Sequence, residues 1–169
     1  LLYNSALALE KMGEAGAALE RVQRLLARHP EDERVPEAMM KVGYHLQALG
    51  QYERAVLAYR NAELFQDREG QARLQFWIGD CRQALGDRDA ALAAFLKVAY
   101  LYGDQGMWGV TATLRAAMLY EESGDRPQAR QLYEKVLANQ GPDSDFGRSA
   151  AAGLERLGAG ADTEEGGGG

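Results

Sequence analysis

The sequence predicts an all-α fold, a right-handed α-solenoid of four helix-turn-helix pairs closed by a C-terminal capping helix. Three observations predict it. Glycines recur at Gly13, Gly50, Gly86 and Gly124, which by subtraction stand 37, 36 and 38 residues apart. The same kinds of side chain return at fixed offsets from each glycine. Between the repeats lie short runs of turn-forming residues, His29-Pro30-Glu31-Asp32, Gln66-Asp67-Arg68-Glu69-Gly70 and Gly103-Asp104-Gln105-Gly106. A period of this length marks one supersecondary unit that buries its apolar face by stacking on its neighbours.

The first pair, about residues 1–29, carries Ala6 seven positions before Gly13, where a small residue lets the neighbouring helix come close. Ala18, Val22 and Leu25 follow the glycine by five, nine and twelve positions and share one helical stripe. The glycine itself ends the first helix, because it tolerates a left-handed conformation. The second pair, 34–66, repeats this with Gly43 before Gly50 and Ala55, Tyr59 and Ala62 after it. In the third pair, 70–102, the residues are Gly79, then Ala91, Phe95 and Val98, with Asp87 placed to cap the second helix. In the fourth, 107–140, they are Ala117, then Ala129, Tyr133 and Val136, with Asp125 as the cap. A ninth helix is expected over 145–157, where Phe146, Ala150, Leu154 and Leu157 would cover the last pair. Residues 1–158 are then one solenoid domain, and the Gly-rich tail 159–169 is expected to be disordered.

The 169 residues carry 19 basic and 25 acidic side chains, a net charge of -6. That balance lacks the basic footprint that nucleic acid or an anionic lipid surface requires. No run approaches the roughly 20 apolar residues that span a bilayer, so direct membrane insertion is not expected of this chain. The opening Leu1-Leu2-Tyr3, without an initiator methionine and already inside a helical pattern, reads as a segment of a longer protein. Cys81 is the one cysteine and is expected to act as a small core side chain. His29 and His45 have no second histidine or cysteine at ligand spacing, and the Asp87-Arg88-Asp89 and Asp143-Ser144-Asp145 clusters stand where helices need N-caps. The terminal glycine run precedes no helix and so cannot cradle a phosphate. These residues predict no catalytic set, no metal and no cofactor, and therefore not an enzyme.

Small residue, apolar residue, Leu-Gly turn, alanine and aromatic at these spacings resemble the tetratricopeptide repeat from Leu1 to about Leu157, with a period slightly longer than that family's usual 34 residues. Phe76-Trp77-Ile78-Gly79-Asp80, Gln83-Ala84-Leu85-Gly86-Asp87, Ala90-Ala91 and Phe95-Leu96-Lys97-Val98 are similar to repeats of bacterial envelope proteins of the YbgF (CpoB) and BamD type. This narrower likeness implies a periplasmic or cell-envelope adaptor, the cytoplasm being the alternative, and it is carried by Trp77, Gly79, Gly86 and Ala91. It departs from the pattern at Tyr102-Gly103, where a Tyr-Pro usually stands.

The family resemblance also implies where a partner sits. Its inward positions, ten and six before each turn glycine, are here Tyr3 and Leu7, Met40 and Tyr44, Phe76 and Asp80, Leu114 and Met118. Seven of these eight are apolar or aromatic, and the polar Glu10, Gln47, Gln83 and Glu121 flank them. An apolar strip with a polar margin suits an amphipathic helix or extended peptide, with the groove centred on Met40, Tyr44 and Phe76. The residues of a carboxylate clamp are absent from these positions, although Arg73 at the edge can pair one carboxylate. Trp108 is either a partner anchor or a cover over the third pair, while Trp77 is expected to be structural. The expected function is a non-enzymatic protein-protein adaptor. The alternative is a structural arm of a larger protein, or one that self-associates through Tyr3 and Leu7 of its first helix.

Overall fold

The computed structural model describes residues 1–104 and 106–165, with side chains described as far as Ala159. Gln105, in the third inter-repeat turn, and the tail residues 166–169 lie outside the described residues. Among the described residues there are nine helices and no strand: α1 (Leu2–Lys11), α2 (Ala15–Arg28), α3 (Val35–Ala48), α4 (Tyr52–Glu63), α5 (Arg68–Ala84), α6 (Arg88–Leu101), α7 (Gly106–Glu122), α8 (Arg126–Gln140) and α9 (Asp145–Glu165). The all-α helical repeat class is the one the sequence predicts.

One turn joins the two helices of every pair. Gly13, Gly50, Gly86 and Gly124 have φ of +78°, +71°, +76° and +81°. The N–H of Gly13 donates to the carbonyl of Glu10 at 3.0 Å and that of Glu14 to the carbonyl of Leu9 at 2.9 Å. The same two bonds recur at the other three glycines. This Schellman closure satisfies carbonyls that the helix end would leave orphaned. A Cβ in the left-handed region costs about 1–2 kcal/mol, which is why glycine is the residue that recurs.

The repeat offsets read from the sequence are the positions that pack. Ala18, Ala55, Ala91 and Ala129 are all 0% exposed, and so are Val22, Tyr59, Phe95 and Tyr133. Methyl-sized side chains at the first set let paired helices approach, and the large ones at the second fill the space beside them. Side chains also fix the helix starts. Asp67 Oδ1 accepts from the N–H of Gly70 at 2.8 Å, Asp87 Oδ1 from Ala90 at 3.2 Å and Asp125 Oδ1 from Gln128 at 3.3 Å. At α9 the cap is Ser144, whose Oγ accepts from the N–H of Gly147 at 2.9 Å.

The chain divides within α6 into two compact units, Leu1–Ala94 and Phe95 onward. In a stacked array each pair touches only its neighbours, so equal repeats need not share one core. In the first unit α2 packs on α1 and α3, and α4 on α3 and α5. One buried cluster there contains Tyr3, Ala6, Val22, Leu25 and Ala38, and a larger one contains Met40, Tyr59, Leu74, Ile78 and Cys81. In the second unit α7 and α8 pair, and α9 lies against both. Helix α9 passes Leu157 and runs to Glu165. Gly158 and Gly160 each cost about 1 kcal/mol relative to alanine but keep their N–H donors, so a helix already nucleated against α7 and α8 propagates through them.

Candidate functional site

The eight inward positions separate into a buried row and a more open row. In the first unit Tyr3, Met40 and Phe76 are 6%, 6% and 8% exposed, whereas Tyr44 is 41% exposed. Leu7 and Asp80 are half-buried. The second unit repeats this, with Leu114 buried and Met118 at 43%. Residues ten before the glycine thus contribute to packing: Tyr3 and Met40 belong to the two core clusters of the first unit. Those six before it offer surface.

The polar margin is largely engaged within the chain. Tyr59 Oη donates to Gln47 Oε1 at 2.7 Å, and Tyr133 Oη donates to Glu121 Oε2 at 2.6 Å. Glu121 also receives Arg156 Nε at 2.7 Å on Oε1 and its Nη2 at 2.9 Å on Oε2, which ties α9 to α7. The Arg156 bond, followed by that from Tyr133, holds the Glu121 carboxyl below the usual range. Glu10 receives Lys41 Nζ at 2.9 Å on each oxygen. Sequence reasoning missed these bonds, although the signal was present: in the second and fourth pairs a tyrosine stands nine after the glycine and a polar acceptor three before it.

Arg73 stands at the wall of a depression of about 560 Å³ in the first unit, whose lining includes Pro36, Glu37, Met40, Phe65 and Asp67. That is within the roughly 300–1,000 Å³ of typical ligand pockets. Two links hold its rim: Gln66 Nε2 donates to the carbonyl of Pro36 at 2.7 Å, and Asp67 caps α5. Arg34 at the same rim is committed to Asp32 through Nε at 2.8 Å and Nη2 at 2.7 Å. The Arg73 guanidinium lies 5.5 Å from the Trp77 ring centroid, and its Nε is buried with no hydrogen-bond partner among the described residues. Phe65, 53% exposed, adds apolar surface that the sequence reading did not single out. The clue was the apolar Leu64-Phe65 step, separated only by Gln66 from the capping Asp67 that starts α5.

Aromatic rings connect this region to the core. Trp77 packs partly buried on the larger cluster, 5.4 Å from the Tyr59 ring and 6.3 Å from that of Tyr44. Trp108 is half-buried. Cys81 is fully buried, and burial pushes its thiol up to about 12, so at neutral pH it carries no nucleophilic thiolate. Among the described residues no group of three or more His, Cys, Asp or Glu side chains is placed to hold a metal ion. No described helix is long and apolar enough to cross a membrane.

The sequence profile of the tetratricopeptide repeat family matches residues 1–32, 73–104 and 111–140, more than half of the chain. Among curated proteins none matches significantly. Similar solved structures include a tetratricopeptide repeat protein from Parabacteroides merdae, with a TM-score of 0.77 at 16% identity over 95% of this chain. This chain spans 60% of the length of that protein. A thermophilic TPR protein of Thermus thermophilus is 26% identical, with a TM-score of 0.63 over 90% of this chain and 79% of its own. PcrH, solved in complex with the chaperone binding region of PopD, has a TM-score of 0.50 at 23% identity over 94% of this chain and 89% of its own.

Proposed function

The chain belongs to the tetratricopeptide repeat family, and from that premise we propose that it is a non-catalytic protein-binding adaptor whose first unit receives a peptide or helix along α1, α3 and α5. The observation that carries this reading is the guanidinium of Arg73, buried at Nε without a hydrogen-bond partner beside a depression that Met40 and Phe65 also line. A guanidinium with an unsatisfied Nε beside Met40 and Phe65 suits a segment that brings one carboxylate and one or two apolar side chains. Tyr44 extends the apolar contact in the first unit, and Met118 offers a corresponding one in the second. PcrH, of the same fold, holds a segment of another protein.

The burial pattern selects the test. Changing Met40 or Phe76 to a polar residue would probe folding, because both are nearly inaccessible. Tyr44→Ser with Arg73→Gln removes the exposed ring and the cation while leaving the arginine's stem volume. Affinity capture from extract of the source cells with this double variant, at unchanged helicity, is expected to lose a partner that the natural chain retains. Equal capture by both would remove this face as the binding site. We also propose a bacterial cell-envelope setting, supported by the likeness at Trp77, Gly79, Gly86 and Ala91. Recovery of the protein in the periplasmic fraction is the expected result, and recovery in the cytosol alone would overturn it.

A further inference from the structure

His45 is 1% exposed on α3, yet neither ring nitrogen has a hydrogen-bond partner among the described residues. A buried ring whose nitrogens are both unsatisfied is the side chain of α3 most ready to take a new polar partner. The anion nearest to it is already in use. Nε2 lies 3.7 Å from Glu10 Oε2, while both oxygens of that carboxylate accept from Lys41 Nζ at 2.9 Å. Lys41 Nζ in turn stands 5.2 Å from the ring centroid of Tyr44, and the Tyr44 ring meets His45 edge-on at 5.4 Å. Lys41 and His45 thus stand at one carboxylate, and both touch Tyr44, the exposed aromatic of the inward row.

We propose that Glu10, Lys41, Tyr44 and His45 form a proton-operated coupling in which protonation of His45 draws the Glu10 carboxylate from Lys41 to the imidazolium and so resets α1 against the Tyr44 surface. A charge-assisted N–H···O bond closes to about 2.7–2.9 Å, so a carboxylate displacement of about 1 Å makes it. The proton comes from solvent to Nε2, and the carboxylate exchanges an ammonium for an imidazolium partner. Lys41, released from part of its tether, no longer holds the same position over Tyr44.

The charged groups acting on His45 are Glu10 from α1, which favours the proton, and Lys41 on its own helix, which opposes it. Burial is the largest influence and also opposes the proton, so His45 in the folded chain lies below its ordinary value of 6.5. The unfolded chain therefore binds this proton first as pH falls. Stability from the neutral ring is complete above about 6.5 and is lost as pH falls through the lowered folded value. The loss falls on the seam between α1 and α3, where Glu10 must move for the folded chain to accept the proton.

The coupling can be read without any partner, and only its use in gating one rests on the adaptor reading. Histidine and tyrosine ring resonances of the intact chain are followed by NMR across a pH titration, with the urea-unfolded chain as reference. There are two histidines, and His29→Gln assigns the signals. The expected result is a His45 midpoint below that in the unfolded chain, with the Tyr44 ring signals moving on the same midpoint. A His45 midpoint at or above the unfolded value, or Tyr44 signals that do not follow it, would overturn the proposal. In Glu10→Gln the His45 midpoint should fall further and the Tyr44 response should vanish; a Tyr44 response that persists counts against the coupling. The titration of the natural chain decides the matter even if that variant folds poorly.

Discussion

Gly43 in α3 lies directly under the ring of Tyr59 in α4, and replacing it with alanine tests how tightly these paired helices are matched. A Cβ at this position would come within 3.0 Å of Tyr59 Cγ and closer still to Cδ1 and Cε1. Non-bonded carbons settle at about 3.5–4.0 Å, so the ring or the helix must yield by roughly 1 Å. The ring has little room to do so: Tyr59 is fully buried, bonded to Gln47 at 2.7 Å and packed 5.4 Å from Trp77. Overpacking of this kind costs about 1–3 kcal/mol. A lost phenol hydrogen bond would add about 1 kcal/mol. Against this stands a helix-propensity gain of up to about 1 kcal/mol for alanine over glycine. The expected net effect is a loss of about 1–3 kcal/mol. Gly16→Ala in α2 is the matched control, because nothing lies within 4 Å of its added Cβ; that variant should be neutral or gain up to about 1 kcal/mol. Urea unfolding followed by circular dichroism measures both. If Gly43→Ala proves as stable as Gly16→Ala, the close approach of α3 to the Tyr59 ring is not a constraint and the packing argument fails.

Other consequences follow from the ionic and thiol chemistry. Glu121 is held below its ordinary 4.5 chiefly by Arg156, so the stability it confers is present above about 4.5 and is lost as pH falls through the lowered folded value. Arg156→Gln is expected to destabilise the second unit at neutral pH and to flatten its acid dependence, measured as melting temperature against pH; an unchanged acid profile would contradict the assignment. Cys81, buried and protonated, should resist a thiol-alkylating reagent under native conditions and react fully in denaturant. Rapid native alkylation, read by mass spectrometry, would show that the α5 core opens easily.

The helical repeat was legible because its determinants recur at fixed offsets from one residue type. A glycine at the turn, an alanine five later and a bulky side chain nine later report backbone sign, helix spacing and core filling, and each is decided locally. The division within α6 has no such signature, since repeats on both sides of it obey the same pattern. The extent of α9 is equally hard to read locally: Gly158 and Gly160 lower helix propensity, but a helix packed on α7 and α8 propagates through them.

The candidate site was legible only in outline, and the reason lies in what reaches each position from the opposite helix. Periodicity places Glu10, Gln47, Gln83 and Glu121 at equivalent points, and in isolation they read as one polar rim. Their roles diverge according to the residue nine after the same glycine. Where that residue is Tyr59 or Tyr133, its hydroxyl donates to the rim residue, and Gln47 or Glu121 becomes part of the fold. In the first pair the residue is Val22, which has no hydroxyl to donate. Glu10 is therefore left to Lys41 and, at longer range, to His45. One apolar residue in place of a tyrosine converts a structural acceptor into the shared carboxylate of a titratable cluster. A Val22→Tyr substitution joined to Ala6→Gly, glycine being the residue that stands opposite Tyr59 in the second pair, would test this logic. If the new phenol holds Glu10 in place as Tyr133 holds Glu121, the carboxylate can no longer shift to His45 and the pH response of Tyr44 should disappear; if that response persists, the divergence between repeats has another origin.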